Sequence, residues 1–180
     1  SDIVETDAAV GVNLKMSPGG ASWGTVERPD TLLRAARQVV SECGCDAVAV
    51  VTKFPEDEDE EMLEAYRHGH GVDAIGGAEA LISHLITQNL KVPCAHAPAL
   101  LPLDVDKDVS PRACAEELGY TFLPCVLANL RRAPLLVSPK SDGTTESHCV
   151  WASDVDAIIV PETACGGSAV LSFCRHRTLV

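Results

Sequence analysis

The residues best placed to do chemistry lie near the end of the chain, in Ala164-Cys165-Gly166-Gly167-Ser168-Ala169. Two glycines and a serine at the head of a helix-like stretch present backbone N–H groups to an anion. Glycine allows close approach, and a helix start concentrates unpaired donors. Gly166, Gly167 and Ser168 are therefore candidate contacts for a phosphate or carboxylate. The glycine spacing matches neither a Walker loop nor a dinucleotide fingerprint. The plainer reading is a strand-to-helix turn capped by Ser168. Cys165 and Ser168 are also the candidate nucleophiles of this elbow, although Gly-x-Ser-x-Gly is absent and no base is identifiable beside them.

Histidine supplies the second set. His96 ends the strand-like Cys94-Ala95-His96 and is the best candidate for general acid–base work. Strand C-termini of a parallel sheet form its ligand crevice, so His96 and the 161–168 loop are expected to converge. His68 and His70 flank Gly69, and His84 lies on a helix face. None of these spacings is a recognised ligand pair, so no metal centre is expected. Tyr120 and Glu117, near a predicted helix end, are further candidate contacts. Glu116 reads as solvated or paired with Arg112. No cofactor can be named from these motifs.

The elements that must hold these residues follow from periodicity and caps. Asp30 precedes Leu32, Leu33, Ala36, Val39 and Val40 at helical spacing, with Gly44 as the stop, which predicts a helix over 31–43. Val-rich 46–54 reads as a strand buried on both faces. The acidic run 56–61 is a solvated loop or helix start. His68-Gly69-His70-Gly71 forms a turn, and 78–90 a second helix with Leu81, Ile82, Leu85 and Ile86 inward. Val92–Ala97 is a short strand. Ser110-Pro111 opens a third helix that Gly119 closes. Strand and helix both fit Phe122–Leu130, which Pro124 interrupts. Segment 138–147 is a surface loop or insertion, and Asp154–Val160 and Thr178–Val180 read as strands. The alternation predicts one α/β domain over 1–180, a mainly parallel sheet with helices on its faces. Val48–Val51 and Ile158–Val160 are its expected interior strands. A chain that stops in mid-strand is expected to be incomplete, here at both ends.

Composition narrows the function classes. The 180 residues carry 14 Lys+Arg against 26 Asp+Glu, a formal charge of −12, which excludes a nucleic-acid partner because phosphate binding needs a basic footprint. Apolar residues make up 46%, enough for a core, yet no run approaches the ~20 residues of a membrane span. The eight cysteines are scattered, and Cys43-Gly-Cys45 lacks the Cys-x-x-Cys redox spacing, so reduced thiols are expected. The first residues, Ser1-Asp2-Ile3-Val4-Glu5, carry neither the basic region nor the apolar core of a signal peptide.

Several segments carry a resemblance. They include Pro29-Asp30-Thr31-Leu32-Leu33-Arg34-Ala35-Ala36, Gly77-Ala78-Glu79-Ala80 and Pro93-Cys94-Ala95-His96-Ala97-Pro98-Ala99. Glu116-Glu117-Leu118-Gly119-Tyr120-Thr121-Phe122-Leu123-Pro124 and Ala164-Cys165-Gly166-Gly167-Ser168 belong to the same pattern. In order and spacing the chain resembles an uncharacterised family of cyanobacterial and plastid proteins, a domain of unknown function. Members of that family are longer at both ends, and their glycine-bearing N-terminal segment is absent here. The resemblance implies oxygenic photosynthetic organisms, in a chloroplast (stroma or the stromal side of the thylakoid) or cyanobacterial cytoplasm. It carries no reaction.

Two function classes follow. One is an α/β domain that binds a small anionic ligand at the Gly-Gly-Ser loop, with or without catalysis. The other is a non-catalytic accessory subunit or assembly factor of a photosynthetic complex. A crevice at His96 favours the first, and an apolar surface without a pocket the second.

Overall fold

The computed structural model describes residues 2–16, 22–54, 60–99, 106–115, 123–138, 148–162 and 165–175. The chain forms two compact units, Ser1–Leu136 and Val137–Val180, each described by itself.

The first unit mixes strands and helices. Strands β1 (Val12–Met16) and β2 (Ser22–Val26) pair antiparallel, from Val12 opposite Val26 to Met16 opposite Ser22. Sequence reading did not anticipate this hairpin. Strands β3 (Val48–Thr52) and β4 (Cys94–Pro98) pair in parallel, with Val48 beside Cys94 and Val50 beside His96. Among the described residues the strands thus form two small sheets, one antiparallel and one parallel.

Helix α1 (Pro29–Ser41) begins one residue before the expected cap. Proline at the first helical position has no amide to waste and a pre-set φ. Asp30 therefore sits inside the first turn, where its carboxylate accepts from Arg34 at 2.6 Å, while Arg34 also donates to Asp7 at 2.8 Å. Helix α2 (Glu60–Arg67) grows out of the acidic run, and Gly69 and Gly71 turn the chain at φ +86° and +76°.

Helix α3 (Gly76–Leu90) lies against β2 and β4. A Cβ on Gly77 would fall 2.6 Å from the Ser22 carbonyl oxygen and 2.7 Å from the Trp23 Cα, so glycine permits this close approach. Asp73 steadies the helix entry by accepting the Ile75 amide at 3.0 Å. The core beneath gathers Leu32, Ala36, Val48, Ile82 and Ile86, with Val50, Leu85 and Cys94 packed on it.

Helix α4 (Pro111–Ala115) opens at Pro111 as expected, with Ala113 buried. Phe122–Leu130, left open between strand and helix, resolves as helix α5 (Leu123–Leu130). Pro124 falls in its first turn, where no intrahelical donor is lost.

The second unit holds a 3-10 turn at Ala152–Asp154, in which Asp154 accepts the Trp151 amide at 2.9 Å, and helix α6 (Ser168–Phe173) with Val170 buried.

Three expectations need correction. Ile158–Val160 is no buried strand, for only Ala157 makes a bridge and Ile159 is 97% exposed. Among the described residues its apolar run joins no ladder, and it meets Pro161, which has no amide to extend one. Val48 is buried, but Val51 on the same strand is half exposed, because a sheet of two strands covers fewer faces than the expected larger one. Ser168 does not cap α6. Gly167 is the cap residue, without a side-chain bond, and Ser168 is the first helical position. Gly119, segment 139–147 and Thr178–Val180 lie outside the described residues.

Candidate functional site

His96 is the predicted site residue with the most developed surroundings. Its partner on the parallel ladder is Val50, and Cys94, two residues earlier, shares its face of β4. Across from that face stands α3, whose positions 78, 79, 82, 83 and 86 are buried. Glu79 and Ser83 interrupt this otherwise apolar stripe one turn apart, and both meet His96. The Ser83 Oγ lies 2.5 Å from His96 Nδ1 and 3.2 Å from the Glu79 carbonyl oxygen, while Glu79 Oε2 lies 3.6 Å from Nε2.

One proton on Ser83 must serve two neighbours. Donated to Nδ1, it leaves the neutral ring with its hydrogen on Nε2, facing the Glu79 carboxylate. Donated to the carbonyl, it would place an Nε2 lone pair against that carboxylate. With Glu79 ionised the first arrangement is attractive and the second repulsive, so the order is then Glu79 carboxylate, Nε2–H, Nδ1, Ser83 hydroxyl.

Burial holds the His96 imidazole below its ordinary value. Asp73 pulls in the opposite direction, and His84 adds to the depression. The ring is therefore neutral at neutral pH, with its lone pair on Nδ1 turned to Ser83 and its hydrogen on Nε2. Ser83 is 7% exposed and Glu79 2%, whereas the His96 side chain keeps 29% of its surface. Proton connectivity is that of an acyl-transfer triad, but a buried hydroxyl cannot meet a substrate carbonyl. What can be reached is the imidazole. Its Nε2 is beyond hydrogen-bond distance of Glu79, at a separation that one ligand hydroxyl could bridge.

Beside this constellation runs an apolar groove of about 460 Å³, lined among others by Val10, Leu32, Val50, Thr52, Lys53 and Ile82. Its size lies within the range of small-molecule sites, about 300–1,000 Å³. His96 does not line it, although Val50 is the ladder partner of His96 and Ile82 precedes Ser83. Thr52, Lys53 and Phe54 bring it to the C-terminal end of β3, where ligands of parallel sheets bind.

Cys165, Gly166, Gly167 and Ser168 belong to the second unit and are all exposed, with Cys165 donating weakly to the Pro161 carbonyl at 3.7 Å. His84 is exposed on α3, as expected. Tyr120, Glu116 and Glu117 lie outside the described residues. Burial pushes the Cys94 thiol up to about 12, so it packs as a small hydrophobe. All eight cysteines are free.

Sequence reasoning missed Glu79 and Ser83. Their signal was a carboxylate and a hydroxyl on the inward face of an amphipathic helix, with a histidine on the next strand. It also missed the i, i+4 pair Glu64 and His68. The His68 Nδ1 lies 2.9 Å from the Glu64 carbonyl oxygen, and Nε2 lies 3.3 Å from Asp106 Oδ2. That backbone contact, with Glu64 and Asp106 nearby, raises the His68 imidazole above its ordinary value.

These features define a mixed α/β domain with a half-buried carboxylate–imidazole–hydroxyl cluster, and no described helix is long and apolar enough to cross a membrane. Residues 1–180 match the family described as "Protein of unknown function (DUF3326)", and the chain belongs to that family. It is 53% identical over 173 residues to an uncharacterized lipoprotein of Synechococcus sp., covering 96% of this chain. The chain spans 47% of that relative's length. No solved structure matches it.

Proposed function

We propose that this chain is a small-molecule-binding α/β domain in which the imidazole of His96, ordered by Ser83 and Glu79, holds the ligand as an Nε2–H donor. The observation that carries the reading is the relay itself. Three polar side chains set into an apolar helix–sheet contact cost stability, and a core needing only packing would not hold them. The groove beside β3 suits a ligand with an apolar body, and Lys53 on its wall suits one anionic group. The ligand class is therefore a small amphiphilic anion with an exchangeable proton.

The anion contact expected at Gly166, Gly167 and Ser168 is a separate part of the proposal, as are Cys165 as a nucleophile and Tyr120 as a contact. A helix of six residues brings little dipole to that loop, so the weight rests on His96. Titrating the ¹⁵N-labelled chain with octanoate and then with inorganic phosphate separates the two. Octanoate is expected to shift Val50, Thr52, Lys53 and His96, and His96→Gln to weaken its binding. Shifts confined to 165–168 with phosphate would support the loop alone. No shift at His96 with either probe overturns its assignment.

The accessory-subunit reading draws on the exposed Leu135 and Leu136 that follow α5. A photosynthetic complex as partner, and plastid stroma or cyanobacterial cytoplasm as compartment, remain proposals resting on the family. The relative's designation as a lipoprotein suggests a membrane-peripheral setting as a third. Co-migration of the chain with a photosynthetic complex on native gels, with no octanoate response, would select the accessory reading.

A further inference from the structure

We propose that Glu64, His68 and Asp106 form a binding site for a divalent transition ion of the zinc class. One ligand atom from each of the three lies within 4.8 Å of the others. Glu64 and His68 stand one helical turn apart where α2 ends, and Asp106 enters from the segment leading into α4. That segment is tied down nearby, since the Ser110 amide donates to the Arg67 carbonyl at 2.7 Å.

The two nitrogens of His68 are separately engaged. A carbonyl oxygen only accepts, so Nδ1, at 2.9 Å from the Glu64 carbonyl, carries a ring hydrogen. Nε2 faces Asp106 Oδ2, 3.3 Å away. A proton and a divalent ion compete for the position between them. Ligands on a tetrahedral ion with bonds of about 2.0–2.1 Å stand about 3.3–3.4 Å apart, and the observed separation fits that edge. A backbone carbonyl fixing the tautomer of the far nitrogen is the outer-shell arrangement of metal-bound histidines.

Glu64 completes the set. Arg67 holds its Oε2 at 3.4 Å, and Oε1 lies 3.3 Å from Nδ1, so a rotation of the Glu64 side chain is what brings it to an ion at Nε2. Both Glu64 and His68 line an open depression of about 690 Å³ shared with Glu61, which gives an ion a route in. One imidazole with two carboxylates suits Zn²⁺ or Mn²⁺ better than the softer ions that select thiolates. Three protein ligands leave a coordination position open, as in sites that bind a further small ligand.

Calorimetric titration of the whole chain with Zn²⁺ tests this, with His68→Gln and Asp106→Asn run beside it. The cysteines are common to all three proteins, so any thiol binding cancels in the comparison. The expected result is a site whose affinity falls about tenfold or more in each variant, with proton release on binding that rises as pH falls. Should a variant fold poorly by circular dichroism, Glu64→Gln serves in its place. Isotherms that are flat, or identical in wild type and variants, overturn the proposal and leave His68 as a proton-bridged ion pair.

Discussion

His96 and His68 each face a carboxylate at similar range, 3.6 Å to Glu79 and 3.3 Å to Asp106, yet their imidazoles shift in opposite directions. His96 is wedged between β4 and α3, where loss of water outweighs the nearby charge of Asp73. His68 lies at the open end of α2, where contact with the Glu64 backbone and two carboxylates prevails. Distance to an acid does not set the charge on a histidine; the water it keeps decides which effect wins. One region thus holds a neutral ring, and the other an imidazole that protonates more readily.

The strongest way to break this contrast is to move α3. Gly77→Val would drive a branched side chain into the Ser22–Trp23 backbone, which has no flexible end to yield. A loss of about 1–3 kcal/mol or more is expected from overpacking, read as a lower urea midpoint. His96 should then lose its shifted titration, while His68, just past the end of α2, keeps its own.

Ser83→Ala is the next largest. It removes the hydrogen-bond partner of His96 Nδ1 inside the structure, at a cost of about 1–3 kcal/mol. Calorimetric melting checks the size, and Ser83→Thr, which keeps a hydroxyl, should recover much of it.

The pH dependence sharpens the comparison further. With a folded value below the ordinary 6.5, His96 takes up a proton more readily when unfolded. Stability is then full above that value and is lost as pH falls through it. His68 has the opposite sign, since its folded value is raised above 6.5. Its contribution is present below that value and is lost as pH rises through the folded one. Urea midpoints measured with chelator present should show a flatter acid limb for His96→Gln and a flatter limb on the alkaline side for His68→Gln.

The smallest effect is chemical. Cys94, buried and with its thiol raised to about 12, should alkylate far more slowly than exposed Cys165, as peptide mass spectrometry of a timed iodoacetamide reaction would show.

The parts legible in the sequence were those written locally. Helices α1 and α3 declared themselves through apolar spacing, and β3 and β4 through short apolar runs. The 68–71 turn was readable because glycine alone adopts those backbone angles cheaply. Asp154–Val160 looked equally strand-like, but a strand exists only with a partner, and its sequence cannot say whether one arrives. The hairpin of β1 and β2 was missed because its strands are five residues each and half polar, and packing against α3 stabilises them. Within the site, His96 could be picked by type and place. Ser83 and Glu79 could not, since they look like ordinary helix residues until α3 is laid against β4.

The account turns on the state of one ring. ¹⁵N spectroscopy of the His96 side chain at neutral pH, before and after octanoate, tests it directly. The account predicts a neutral imidazole with its hydrogen on Nε2, Nδ1 accepting from Ser83, and an Nε2 resonance that moves when octanoate binds. An imidazolium, or a neutral ring indifferent to the ligand, would contradict it.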